Sequence, residues 1–183
     1  MALGYRSKKS RSKIETQRKQ TRGEAQIVVF KLGAEDYGIE IGQVREIIRK
    51  REITPMPKQP PYVEGVINVR GTIIPVVNLN KRFGLQGDAS RHPHTIIVES
   101  GDGLIGMLVD AVSEVIRVPA DQIHPPPSVT TGVDSEYLRG ICRLGERLLI
   151  YLDVEKVVKL APTSTSQDER LQGMTIRPPM AAN

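Results

Sequence analysis

Tryptophan is absent, cysteine occurs once and aromatic residues make up only 4% of the 183 residues. Each shortage excludes something. Without a stock of planar rings there is no stacking platform for single-stranded nucleic acid. A lone cysteine, Cys142, rules out an internal disulfide framework and a cysteine-based zinc site. No run approaches the 18 or so apolar residues of a spanning helix, and the N-terminus lacks the apolar stretch of a secretory signal. A reducing, cytoplasmic compartment is the expectation.

Charge is present but unevenly placed. The chain carries 26 basic and 21 acidic residues, net +5. Residues 1–25 hold eight basic side chains and two acidic ones, net +6, whereas residues 26–160 are net −1. The first 25 residues alternate serine with lysine and arginine and have almost nothing to bury, so they read as a disordered basic tail. Residues 161–183 read as a second flexible tail. The intervening stretch is rich in valine and isoleucine and punctuated by glycine and proline, which points to an all-β fold of short strands.

That stretch repeats itself. Shifted by 68, residues 26–49 align with 94–117 without a gap. Gly38-Ile39-Glu40-Ile41 meets Gly106-Met107-Leu108-Val109, and Val44-Arg45-Glu46-Ile47-Ile48-Arg49 meets Val112-Ser113-Glu114-Val115-Ile116-Arg117. At a shift of 75, Gly65-Val66-Ile67 meets Gly140-Ile141-Cys142 and Asn78 meets Asp153. The extra residues fall in a proline-rich link. Two similar modules follow, 26–87 and 88–160, each with five short strands that suit a small closed barrel. Pro75 within Thr72–Leu79 predicts an edge or a bulge there, and Asp153 before Val154–Val158 predicts a short capped helix.

Nothing in the pattern asks for an enzyme. His92 and His94 flank Pro93 in a link, and His124 has no ligand-spaced partner. No nucleophile elbow or phosphate loop is present. Cys142 occupies a place held by Ile67 in the other repeat, as a small buried apolar group would. The strongest binding candidate is the hairpin Gly65–Val77, where Arg70 stands at a tight turn with five fixed donors. Arg70 aligns with Gly145, so only one repeat carries it. A residue needed for folding alone would recur in both.

The segments Phe30-Lys31-Leu32-Gly33, Tyr37-Gly38-Ile39-Glu40-Ile41, Val44–Ile48 and Pro61–Leu79, followed by Gly106–Val115 and Arg147–Lys156, resemble the CheW family of chemotaxis coupling proteins. The resemblance covers 26–160 in order. It implies two SH3-like five-stranded barrels with a short C-terminal helix. It also implies a non-enzymatic adaptor, without cofactor or metal, that bridges a CheA-type histidine kinase and the cytoplasmic tips of methyl-accepting chemotaxis receptors. Family contact residues fall on Val44, Glu46, Gly65 and Arg70; Asn68 and Gly71 of the same hairpin are counted with them. No small-molecule substrate and no membrane insertion are expected. Asn78 stands where the family often has aspartate, and both tails lie outside the resemblance. Two other readings stay open: a nucleic-acid or anionic-surface binder acting through the basic tail, and a scaffold that sequesters kinase without coupling it to receptors.

Overall fold

The computed structural model describes residues 23–49, 51–86, 94–127 and 133–160. Eleven strands run through them: β1 (Glu24–Leu32), β2 (Glu35–Glu40), β3 (Val44–Arg49), β4 (Val63–Val69), β5 (Thr72–Asn78), β6 (His94–Ser100), β7 (Gly103–Val109), β8 (Ala111–Pro119), β9 (Ile123–His124), β10 (Leu138–Leu144) and β11 (Arg147–Leu152). Two one-turn helices, α1 (Leu79–Arg82) and α2 (Val154–Val157), follow β5 and β11. The all-β expectation holds. The expected tails lie almost wholly outside the described residues, although Glu24 and Ala25, placed in the basic tail by composition, pair with Pro119 and Val118 in β1–β8.

The strands form two sheets, ordered β8-β1-β2-β11-β10-β9 and β3-β6-β7-β5-β4. The repeat is exact in register. Val44 opposes Val98 and the pairing then slips by one residue; the equivalent Val112 opposes Phe30 with the same slip. The parallel pair Val76 with Gly106 matches Tyr151 with Gly38. The modules are nevertheless not 26–87 and 88–160. Each repeat lends its first hairpin to the other. The first sheet combines 24–40 with 111–152, and the second is a continuous piece, 44–109. Both hairpins carry the same double-sided apolar pattern, so local sequence does not say which sheet either one completes.

Both sheets curl. β3 lies at one edge of the second sheet, yet Thr54, five residues past Arg49, already bridges Val66 at the other edge. Five residues span at most about 18 Å, whereas in a flat sheet Thr54, paired outside β4, would stand five spacings of about 4.8 Å, about 24 Å, from β3. The first sheet does the same between Pro119 of β8 and Ile123 of β9, which pairs with Cys142. Where the returning chain crosses, the facing strand has glycine. A Cβ on Gly65 would lie 2.1 Å from the Thr54 carbonyl oxygen, and one on Gly140 would lie 2.7 Å from that of His124. The aligned glycines are thus explained by close backbone approach.

Three apolar clusters result. Ile48, Ile67, Val69, Ile74, Val76, Ile97 and Leu108 fill the second sheet, and Ile27, Val29, Val118, Cys142, Leu149 and Tyr151 fill the first. A larger shared core lies between the sheets and includes Val28, Phe30, Tyr37, Ile96, Val98 and Met107. Strands β1 and β6 are therefore buried on both faces, which accounts for their unbroken apolar runs. Pro75 belongs to an interior strand rather than an edge. The parallel pairing of β5 to β7 begins only at Val76, one residue past the missing donor. His94 opens β6 and is half-buried, rather than lying in a link as read from sequence. His92 lies outside the described residues.

Carboxylates anchor the exchanged hairpins. Asp110 accepts from the Gly33 amide at 2.6 Å and from the buried Asn80 amide at 2.8 Å; Glu155 accepts from the Gly101 amide at 3.1 Å. Across the junction the Arg82 guanidinium stacks 4.1 Å from the Tyr62 ring centroid and donates to the Lys159 carbonyl at 3.1 Å. Asp110→Ala strands the buried Asn80 amide and frees the β1–β2 turn. An expected loss of about 1–3 kcal/mol is checked by urea denaturation. The Asn78 side chain caps α1 by accepting from the Lys81 amide at 3.1 Å and donates to Glu64 at 2.8 Å. An aspartate there would keep the cap but lose the donor. Asp153, its counterpart, makes no such cap bond and instead faces Lys156 at 3.8 Å.

Candidate functional site

The turn between β4 and β5 has two residues, Arg70 and Gly71, with φ of 51° and 88°. Positive φ at both central positions fits the right-handed twist of a tight hairpin. Glycine adopts that conformation freely, but for arginine it costs about 1–3 kcal/mol. Asn68 offsets part of this cost, because its Oδ1 accepts from the Gly71 amide at 2.8 Å. The outcome is an arginine held up on a stiff turn, its side chain 72% exposed.

The Arg70 guanidinium donates to Oε2 of Glu46 on β3, across the mouth of the curled second sheet. Beneath this bridge lies a cleft of about 470 Å³ whose floor is Val69, Ile74, Ile97 and Leu104. A second pair, Arg45 with Glu99, borders the same cleft. Exposed ion pairs contribute about 0–1 kcal/mol, so their importance here is orientation: four charged groups of zero net charge around an apolar floor.

The structure thus brings Glu46, Asn68, Arg70 and Gly71 to one place and separates the other two candidates. Gly65 faces the Thr54 carbonyl as described, with φ of 139°, so its requirement is structural. Val44 is half-buried and packs against the core between the sheets, the role that an apolar strand residue most often has. Arg45, Glu99 and Leu104 were not singled out from sequence. The repeat carries their signal, since they align with Ser113, Lys31 and Asp36.

A cleft of about 550 Å³ beside the first sheet is lined by Lys31, Asp36 and Arg147 together with apolar residues that include Ile141, Leu148 and Ile150. Cys142 is fully buried, and burial pushes its thiol up, away from the reactive thiolate. Among the described residues no group of three histidine, cysteine or acidic side chains is placed to hold a metal ion. Also among these residues, no helix is long and apolar enough to cross a membrane.

The model of the CheW-like domain matches residues 26–161. The chain belongs to the CheW-like family. The chemotaxis protein CheW of Treponema pallidum is 40% identical over 138 residues, covering 72% of this chain and 81% of that protein. Its namesake in Klebsiella aerogenes is 37% identical over 134 residues, covering 73% and 81%. Among solved structures, the scaffolding protein TtCheW of Thermoanaerobacter tengcongensis matches with a TM-score of 0.69 at 38% identity, covering 74% of this chain and 88% of that one. This chain is a non-enzymatic adaptor of chemotaxis-type signalling.

Proposed function

We propose that this adaptor couples methyl-accepting chemotaxis receptors to a CheA-type histidine kinase, working in the cytoplasm at receptor arrays on the inner face of the membrane. The kinase meets the cleft at the β4–β5 hairpin. The observation that carries this reading is the Arg70–Glu46 bridge over an apolar floor, its arginine presented by a strained turn that only one repeat has. Strain of this kind is kept where a side chain must be presented rather than merely accommodated. The balanced rim also favours a protein surface over a polyanion, which would select a single sign of charge.

Arg70→Glu tests it. The variant faces solvent and leaves the core intact, so its melting profile stays close to that of the wild type. Stimulation of kinase activity in a reconstitution with receptor and kinase falls at least about tenfold, equivalent to about 1.4 kcal/mol of binding. Full stimulation by Arg70→Glu would remove the cleft from the contact.

A further inference from the structure

The two curled sheets have equivalent mouths, and they are built oppositely. In the second sheet Leu104 belongs to an open apolar floor. Its counterpart in the first sheet is Asp36, which is buried and meets Lys31 at 2.7 Å and Arg147 at 3.6 Å. Arg147 in turn reaches Glu114 at 3.3 Å, and Glu114 is the counterpart of Glu46. The same glutamate is therefore held by an arginine in both repeats, but from different positions: Arg70 in the turn, and Arg147 where the other repeat has Thr72. Here an apolar side chain would meet the Lys31–Asp36–Arg147 ion pairs instead of an apolar floor, and parting a buried carboxylate from its partners is strongly unfavourable.

Arg45 and Glu99 differ between the mouths in the same manner. Their counterparts, Ser113 and Lys31, make no such pair, so the Arg45–Glu99 pair, like Arg70, belongs to the second sheet's mouth alone. Both side chains are more than half exposed. An arginine engaged by one carboxylate still has donors to offer outward, and the second oxygen of a carboxylate still accepts.

We infer that Arg45 and Glu99 determine specificity at the partner cleft. Its occupant is an apolar side chain on a protein surface that turns a carboxylate toward Arg45 and a cation toward Glu99. The inference rests on the cleft being the kinase-binding site. Arg70 and Glu46 hold one rim, and Arg45 and Glu99 fix the direction in which the partner's charges must run. Opposed charge pairs of this kind reject a reversed or unrelated partner more than they add affinity.

The test is a charge exchange, read by calorimetric titration with the purified CheA-type kinase of the same organism and by thermal melting. Arg45→Glu alone weakens binding about tenfold. The double variant Arg45→Glu with Glu99→Arg rebuilds the ion pair in reverse, melts like the wild type and still binds about tenfold more weakly. Wild-type affinity in either variant, with Arg70→Glu still defective, would overturn this proposal alone: the pair would then be a brace. Wild-type affinity in Arg70→Glu as well would overturn the cleft as the kinase site, and this proposal with it.

Discussion

Gly65→Ala is expected to destabilise the protein by about 3 kcal/mol or more. Two effects combine. The backbone at Gly65 has φ of 139°, a region closed to residues with a Cβ, and that Cβ would stand 2.1 Å from the Thr54 carbonyl oxygen. The clash involves two backbones, so no rotamer relieves it. Relief requires moving the Thr54–Val66 bridge, with N–O distances of 2.9 Å in both directions, and that bridge is what curls the second sheet. Gly71→Ala provides the control. It too has positive φ, but open space surrounds it, so only the conformational cost of about 1–2 kcal/mol applies. Urea midpoints compare the two, and equal losses would mean that the close approach is unimportant. Partner binding by Gly65→Ala should fall only as far as the folded fraction falls.

Phe30→Ala should cost about 3–5 kcal/mol. Phe30 is fully buried between the sheets and starts a run of rings: Tyr37 at 6.2 Å, then Phe83 at 6.1 Å from Tyr37, then Tyr137 at 5.7 Å from Phe83. The run links the first sheet to Phe83, just past α1, the helix that follows β5 of the second. Truncating its first member opens a cavity in the core that both sheets share. Unfolding should remain a single transition, with far-UV circular dichroism and tyrosine fluorescence changing together at a lower midpoint. Two separated transitions would show that the sheets are independent.

These residues also mark how far the sequence could be read. The internal shift of 68 located β1 to β3 against β6 to β8, and the structure adds a slip shared by Val44 and Val112. It was silent on partnership, because Val28 and Phe30 in one hairpin and Ile96 and Val98 in the other present the same double-sided apolar pattern to any neighbouring strand. The exchange of hairpins depends on long-range packing, and so does the position of Pro75 in an interior strand. Arg70 was legible because its counterpart is glycine. Arg45 and Glu99 carried the same mark, Ser113 and Lys31, yet on a strand they read as an ordinary solvated face. Gly65 looked like a contact residue until the path of Thr54 explained why both repeats have glycine there.

The exchanged hairpins impose an order on synthesis. All strands of the second sheet lie between Val44 and Val109, so it can be complete as soon as β7 leaves the ribosome. The β1–β2 ribbon is made first but must wait for β8, and then for β11, which ends at Leu152. At roughly 5–20 residues per second that is a delay of several seconds at least. For that time a two-stranded ribbon, marginal on its own and apolar on both faces of β1, exposes strand edges to any neighbouring chain. The nascent protein is most vulnerable to mispairing and aggregation in this interval, and protection by a chaperone would matter most at its N-terminal end.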